Sequence, residues 1–394
     1  MKVAFVGNMN NNFFSLMRYF RDLGVDAHLL MFSDEAEHFQ PEYDTWHVER
    51  WRPFIKTLDL KNTERGLIIS SAGKIRRELA GYDRYVGCGT APAYFQKAGM
   101  YLQLFVPYAY GVEFYGYHKF NLLRPLREAM FQITKYYQGR SIRNRTGYLV
   151  TCDKTPYNRS IVAKLKVKTA WMPTPIVYNK ETPEKKHLSE MLKEAVAKFS
   201  RHDLVLFSHV SHKWKKIPRE WKNISIKSND VLIRGFAEFV KTGKASSPLL
   251  VLLEYGQDVV YSKELIKQLG IERFVFWLPL LSRKEIMVLL DHVDLGGAEL
   301  GGLMWGGTGW EFLSKGVPFF QYLNMSKEGF MDMTDAPIPP FLNVKNEFEI
   351  RDHLVNFMLD KEKYTNIGSE LKSWFDRYNG QALASKFVDL LGPD

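Results

Sequence analysis

KVAFVGNMNNNFFSLMRYFRDLGVDAHLLMF, residues 2–32, reads as strand, loop, helix and strand. Residues 2–7 are rich in β-formers and run into a Gly-Asn loop. Phe13, Leu16, Met17, Phe20 and Leu23 then recur at helical spacing, and Gly24 closes the helix. A second strand, 27–32, follows at once. Strand, helix and strand in this order make a βαβ unit, whose two strands lie parallel. Further strands are expected at 85–87, 102–106, 148–151 and 169–172, with helical segments between them. The span 40–66, with Trp46, Trp51 and Pro53, reads only as an elaborated loop or short helices.

After Pro173-Thr174-Pro175 the composition shifts to a charged stretch, 179–203, that begins as a linker and becomes a helix. A second series of strands follows at 203–208, 249–254, 274–277 and 317–321, separated by helices at 229–242, 260–269 and 282–292. These strands are apolar almost throughout, so both of their faces are covered, as in a doubly wound sheet. An amphipathic helix from about Ile367 to Leu391 ends the sequence. The expected architecture is α/β, with two Rossmann-like doubly wound domains facing across a cleft. Residues 1–175 form the first and 176–370 the second, and a C-terminal helix, 371–394, packs back toward the first.

Composition narrows the class. The chain has 394 residues, 45% hydrophobic and 25% charged, which excludes disorder and coiled coil. No run reaches the ~18 apolar residues of a membrane helix, and the first residues turn polar too early for a signal peptide. Cys88 and Cys152 lack metal spacing and cannot build a disulfide framework, so a cytoplasmic setting is expected. The net charge of +10 is lopsided: residues 1–180 hold 26 Lys+Arg against 15 Asp+Glu, and the rest hold 28 against 29. Residues 119–145 carry seven basic side chains and one acid, Glu128. Within them Leu123, Leu126, Met130, Ile133 and Tyr137 form one apolar stripe. Such a helix either lies on an anionic bilayer, peripheral on the inner face of the membrane, or packs its stripe on the sheet and leaves the arginines solvated. No nucleic-acid module accompanies the basic patch, so nucleic acid is not an expected partner.

Three segments carry candidate chemistry. In 294–320, Gly306-Gly307-Thr308-Gly309 precedes a helix that contains Glu311 in what reads as its first turn. Glycines at a loop-to-helix junction let backbone N–H groups approach a phosphate, and the carboxylate can accept both hydroxyls of a ribose. An ordinary Gly-rich connection with a helix-dipole glutamate is the competing reading. The second segment follows strand 203–208: His209, then a basic loop ending at Lys227, just before a helix with Asp230 near its start. A lysine at this edge of an α/β sheet holds an anionic ligand, or it belongs to a solvated basic loop. The third, Pro107 to His118, combines aromatics with Glu113 and His118, which suits sugar stacking and hydroxyl binding; aromatic core is the alternative.

In this order the segments resemble the GT-B glycosyltransferases, and among them the family 4 type, which transfers a sugar from a nucleotide-activated donor with retention. The resemblance spans nearly the whole chain. The family's opening glycine loop is similar to Gly7–Asn12, and its His-Gly-x-Asp element is matched by Tyr110-Gly111-Val112-Glu113. The inter-domain proline strand resembles Met172–Ile176. The Lys-Gly-x-Asp-x-Leu-Ile element, whose lysine grips the donor diphosphate, resembles Lys227–Ile233, and Glu311–Pro318 matches Glu-Ala-x-x-x-Gly-x-Pro. Three polar positions depart: Leu303 replaces the first of two glutamates, with Glu299 the nearest carboxylate, His209 stands for an arginine, and Tyr110 for a histidine.

The resemblance implies a UDP- or GDP-sugar as substrate, a glycan or lipid-linked acceptor, and no metal or other cofactor. It places the donor on His209, Lys227, Glu299, Gly306, Gly307, Thr308, Gly309 and Glu311. The acceptor falls on Gly7, Asn8, Asn10, Asn11 and Tyr110, and catalysis on Glu113, His118 and Lys227. A nucleotide-sugar 2-epimerase of the same fold and a non-catalytic carbohydrate-binding relative are the competing functions.

Overall fold

The computed structural model describes residues 1–108, 124–152, 154, 156–173, 177–181, 183, 187–216, 226–302 and 304–392. It holds two parallel sheets. The first contains β1 (Lys2–Val6), β2 (Asp26–Phe32), β3 (Ile55–Leu58), β4 (Arg84–Gly87), β5 (Leu102–Phe105), β6 (Thr146–Val150) and β7 (Thr169–Ala170), in the order β3-β2-β1-β4-β5-β6-β7. The second contains β8 (Leu204–Ser208), β9 (Pro248–Leu253), β10 (Val275–Leu278), β11 (Leu295–Gly297), β12 (Phe319–Gln321) and β13 (Leu342–Asn343), in the order β10-β9-β8-β11-β12-β13. Every pairing is parallel, with Phe5 opposite Leu29 and Leu206 opposite Leu250.

The backbone groups into two compact units. One comprises Met1–Tyr178, Phe330–Pro337 and Asn379–Asp394, the other Asn179–Gly329 and Ile338–Tyr378. In the first, the helix Asn12–Asp22 buries Phe13, Leu16, Met17 and Phe20 on β1, with the Phe5 ring 5.4 Å from Phe13 and 5.0 Å from Phe20. Gly24 takes φ +80°, the left-handed value that ends a helix without a Cβ clash. At the C-terminus the structure differs from the single helix expected over 367–391. Lys361–Tyr378 and Gly380–Leu391 are separate helices, because Asn379 leaves helical geometry and its side chain accepts the Gly380 N–H at 2.7 Å. Leu383, Phe387 and Leu391 then join the same core as Val3 and Leu16, each worth about 1.5–3 kcal/mol when fully buried.

Three strands lie outside the sequence expectation. β3 is an edge strand whose Lys56 and Thr57 face solvent, and β13 is two residues long. β11 reads Leu-Gly-Gly because helices close on both of its faces. A Cβ on Gly296 would sit 2.4 Å from Phe312, and one on Gly297 would sit 2.4 Å from Leu232.

The helix Pro125–Asn144 buries a polar face: Glu128, Thr134, Gln138 and Ser141, with Ile142. Gln138 accepts the Ala93 N–H at 2.9 Å and donates to the Gly89 carbonyl at 2.8 Å. Of the apolar stripe, Tyr137 packs on the core, but Leu126 is 81% and Ile133 43% exposed, beside Tyr136 at 58%. Leu123 lies outside the described residues. Among the described residues no helix is long and apolar enough to cross a membrane.

Candidate functional site

In the second sheet the strand order reverses between β8 and β11, which leaves a crevice at their carboxyl ends. β8 delivers Ser208, whose hydroxyl donates to the Gly297 carbonyl at 2.8 Å, and then His209. His209 Nε2 lies 2.6 Å from Glu311 Oε2; a carboxylate only accepts, so the imidazole donates. Arg283 Nε donates to the other oxygen, Oε1, at 2.9 Å. The side chains of His209, Glu311 and Arg283 are 2%, 7% and 16% exposed. Burial alone would raise the Glu311 pKa, but the His209 hydrogen bond and the charges of His209 and Arg283 outweigh it and hold the carboxyl below its ordinary value. Phe207 and Phe312 fix the imidazole plane, with centroids at 5.3 and 5.0 Å. Its Nδ1 is buried and has no hydrogen-bond partner among the described residues.

Glu311 sits one turn later than the sequence suggests. The helix runs Gly307–Lys315, so Glu311 is its fifth residue and its first turn contains no acid. A helix-dipole role is thereby removed, and the buried clamp takes its place.

A second cluster forms beside it. Lys227 Nζ is 2.5 Å from Glu299 Oε1, the side chains 26% and 14% exposed. The backbone locks both residues in place: Lys227 N–H donates to the Lys213 carbonyl at 2.8 Å, and the Lys227 carbonyl accepts Leu300 N–H at 3.2 Å. Glu299 N–H donates to Gln321 Oε1 at 3.2 Å. Gly306, the N-cap of the Gly307–Lys315 helix, backs onto the same carboxylate, and a Cβ there would lie 2.6 Å from Glu299 Oε1. Gly307 has open space where its Cβ would be, whereas Gly309 packs on the Trp305 ring, 2.5 Å from an added Cβ. Thr308 follows as the second helical residue. Leu303 lies outside the described residues.

In the first unit the corresponding reversal falls between β1 and β4. Gly7 takes φ +89°, and a Cβ would meet Cys88 Sγ at 2.8 Å. The Asn8 amide donates to Asn11 Oδ1 at 2.8 Å and to the Phe39 carbonyl at 2.6 Å, and its oxygen accepts Phe14 N–H at 3.0 Å. Asn11 donates to the carbonyls of His38 and Gln40, each at 3.2 Å. Both side chains therefore pin the 38–40 segment over the loop, while Asn10, at φ +54°, is exposed. Glu35 Oε1 accepts the Asn8 N–H at 3.0 Å, and burial pushes this carboxyl up to about 7. Tyr110, Glu113 and His118 lie outside the described residues.

Arg283 belongs to none of the sequence motifs that mark the other site residues. Its signal was local: Ser282-x-x-Glu285 is a capping box, which fixes Arg283 as the first residue of the helix Arg283–Leu289. No spacing rule relates that position to Glu311.

No family model and no curated protein matches the sequence. Solved structures do. The chain is similar to HepE of Anabaena, solved in complex with UDP, at 15% identity and TM-score 0.61, with 99% of each chain covered. It is also similar to TarM of S. aureus, solved with Fondaparinux, alpha-GlcNAc-glycerol and UDP, at 11% identity and TM-score 0.58 over the whole of both chains. UDP-GlcNAc 2-epimerase from Neisseria meningitidis, bound to UDP-GlcNAc, matches at 12% identity and TM-score 0.54 over 99% of each chain. With its two parallel sheets of seven and six strands, the protein has the GT-B fold, two Rossmann-like units in one chain.

Proposed function

We propose that the protein is a glycosyltransferase that moves a sugar from a nucleoside-diphosphate sugar to a glycan or lipid-linked acceptor. The observation that carries this reading is the convergence of five elements of the second unit on one crevice: Lys227 with Glu299, His209 with Arg283 and Glu311, and the Gly306–Thr308 helix start. Glu311 holds the ribose. Lys227 and the amides at the helix start hold the diphosphate and stabilise the charge that grows on it as the glycosidic bond breaks. Glu299, adjoining both, takes hydroxyls of the donor sugar. HepE holds UDP on the same fold, which favours uridine over guanosine as the base. Transfer with retention follows from the family resemblance, with attack from the face the diphosphate leaves. Glu113, His118 and Tyr110, together with Gly7 and Asn10 at the first unit's sheet reversal, serve the acceptor. Asn8 and Asn11 shape that loop from within. The exposed apolar and basic face of the helix Pro125–Asn144 rests on an anionic membrane surface, where a lipid-linked acceptor is found.

The test is release of nucleoside diphosphate from a panel of UDP- and GDP-sugars, with and without added acceptor glycans. Acceptor-dependent release supports a transferase. The likeness to a UDP-GlcNAc 2-epimerase favours a second reading; interconversion of the donor without acceptor would establish it. Failure to bind UDP and GDP would leave a non-catalytic relative.

A further inference from the structure

We propose that Arg283 and His209 are positioning residues that make the site select a ribonucleotide over its 2′-deoxy analogue. The inference rests on the reading of Glu311 as the ribose acceptor. A carboxylate meeting two neighbouring hydroxyls must be ionised and held in one plane. Here the two oxygens are occupied symmetrically: His209 Nε2 takes one lone pair of Oε2 at 2.6 Å, and Arg283 Nε takes one lone pair of Oε1 at 2.9 Å. Each oxygen keeps a second lone pair, so the carboxylate offers two acceptor sites in two fixed directions.

The donors come from separate elements, the end of β8 and the start of the helix Arg283–Leu289, and neither lies on the helix that carries Glu311. The clamp therefore resists rotation of the carboxylate from both sides. The Phe207 ring stacked on the imidazole at 24° and the Phe312 ring tilted against it at 57° keep it from turning away. With Glu311 only 7% exposed, water has little room to replace a missing hydroxyl. A 2′-deoxy ligand would leave one charged acceptor site buried and unmatched, the circumstance in which polar sites discriminate most strongly.

The experiment is calorimetric titration with UDP and 2′-deoxy-UDP, or the guanosine pair if GDP is the nucleotide bound. Wild type should prefer the ribonucleotide by about 10- to 100-fold. In Arg283→Ala the preference should fall below about threefold, because a carboxylate held by His209 alone can pivot about that one bond and adapt to one hydroxyl as well as to two. His209→Gln, which preserves a donor near Nε2, should retain most of the preference, whereas His209→Ala should lose it. The ratio of the two affinities is insensitive to a general loss of folded protein, so a purely structural role would weaken both ligands equally and leave it unchanged. An equal affinity of wild type for both nucleotides, or an unchanged ratio in Arg283→Ala, overturns the proposal while the nucleotide site stands. Failure of wild type to bind either nucleotide overturns the underlying reading instead. If Arg283→Ala does not fold, the wild-type ratio and the two His209 variants still decide.

Discussion

Replacing Glu299 by glutamine should strengthen nucleotide binding, although the residue lines the proposed site. Without ligand, Lys227 Nζ is committed to Glu299 Oε1 at 2.5 Å. An incoming diphosphate has to share that ammonium with a carboxylate. Exposed ion pairs contribute about 0–1 kcal/mol, and well-formed charged hydrogen bonds about 1.5–3. With side chains 26% and 14% exposed the pair falls between these classes, and about 1 kcal/mol is a reasonable magnitude. Glu299→Gln keeps the shape and removes the charge. UDP affinity should rise about fivefold at low salt, an advantage that shrinks as ionic strength increases. Uridine, which lacks the diphosphate, should bind wild type and variant alike. Calorimetric titration of both ligands at two salt concentrations reads all of this. Weakening of UDP by Glu299→Gln as large as that caused by removal of Lys227 would refute this competition and show that the carboxylate orients the lysine instead.

Glu35→Gln should change the pH dependence of stability. The native carboxyl sits at about 7 against an ordinary 4.5, so the folded state binds the extra proton and stability declines as pH rises from about 4.5 through 7. Glutamine removes roughly 2–3 kcal/mol of that decline, and denaturant titrations at pH 5 and pH 8 should show the variant's advantage only at the higher pH. Gly297→Ala forces a methyl group to within 2.4 Å of Leu232 and should lower unfolding stability by about 1–3 kcal/mol; no loss would argue against the close packing of the helix Asn229–Lys241 on β11. On the helix Pro125–Asn144, Arg140→Gln with Arg143→Gln should weaken partitioning onto vesicles containing phosphatidylglycerol by about fivefold per charge, and Leu126→Asp with Ile133→Asp should weaken it further. Wild type that ignores such vesicles at low salt would remove the membrane from the proposal.

Helical spacing together with short apolar runs made the core of both sheets legible. The helix Asn12–Asp22 buries the apolar positions Phe13, Leu16, Met17 and Phe20 that its spacing marks, and β1 and β2 are buried along nearly their whole length. What escaped has physical causes. β11 is two-thirds glycine because helices press on it from both sides, so it lacks the very side chains by which strands are recognised. The break at Asn379 hides inside an uninterrupted amphipathic pattern, and only its cap reveals it. In the helix Pro125–Asn144 the apolar stripe reads equally as a membrane face or an inward face; Gln138 and Glu128 lie inward instead, and Gln138 there meets the backbone groups of Ala93 and Gly89. At the site, Lys227, Glu299, Gly306, His209 and Glu311 could be nominated from motif spacing. Arg283 could not, because its relation to Glu311 depends on where β10 and the helix after it bring the chain.

The measurement that bears most directly on the nucleotide site compares uridine and UDP across wild type, Glu311→Ala and Lys227→Ala. Glu311→Ala removes the ribose acceptors and should weaken both ligands together. Lys227→Ala should leave uridine untouched and weaken UDP by roughly 1.5–3 kcal/mol, the range for a charge-assisted contact. Equal losses of uridine and UDP in both variants would show the two roles to be misassigned, and unchanged binding in both would place the nucleotide elsewhere.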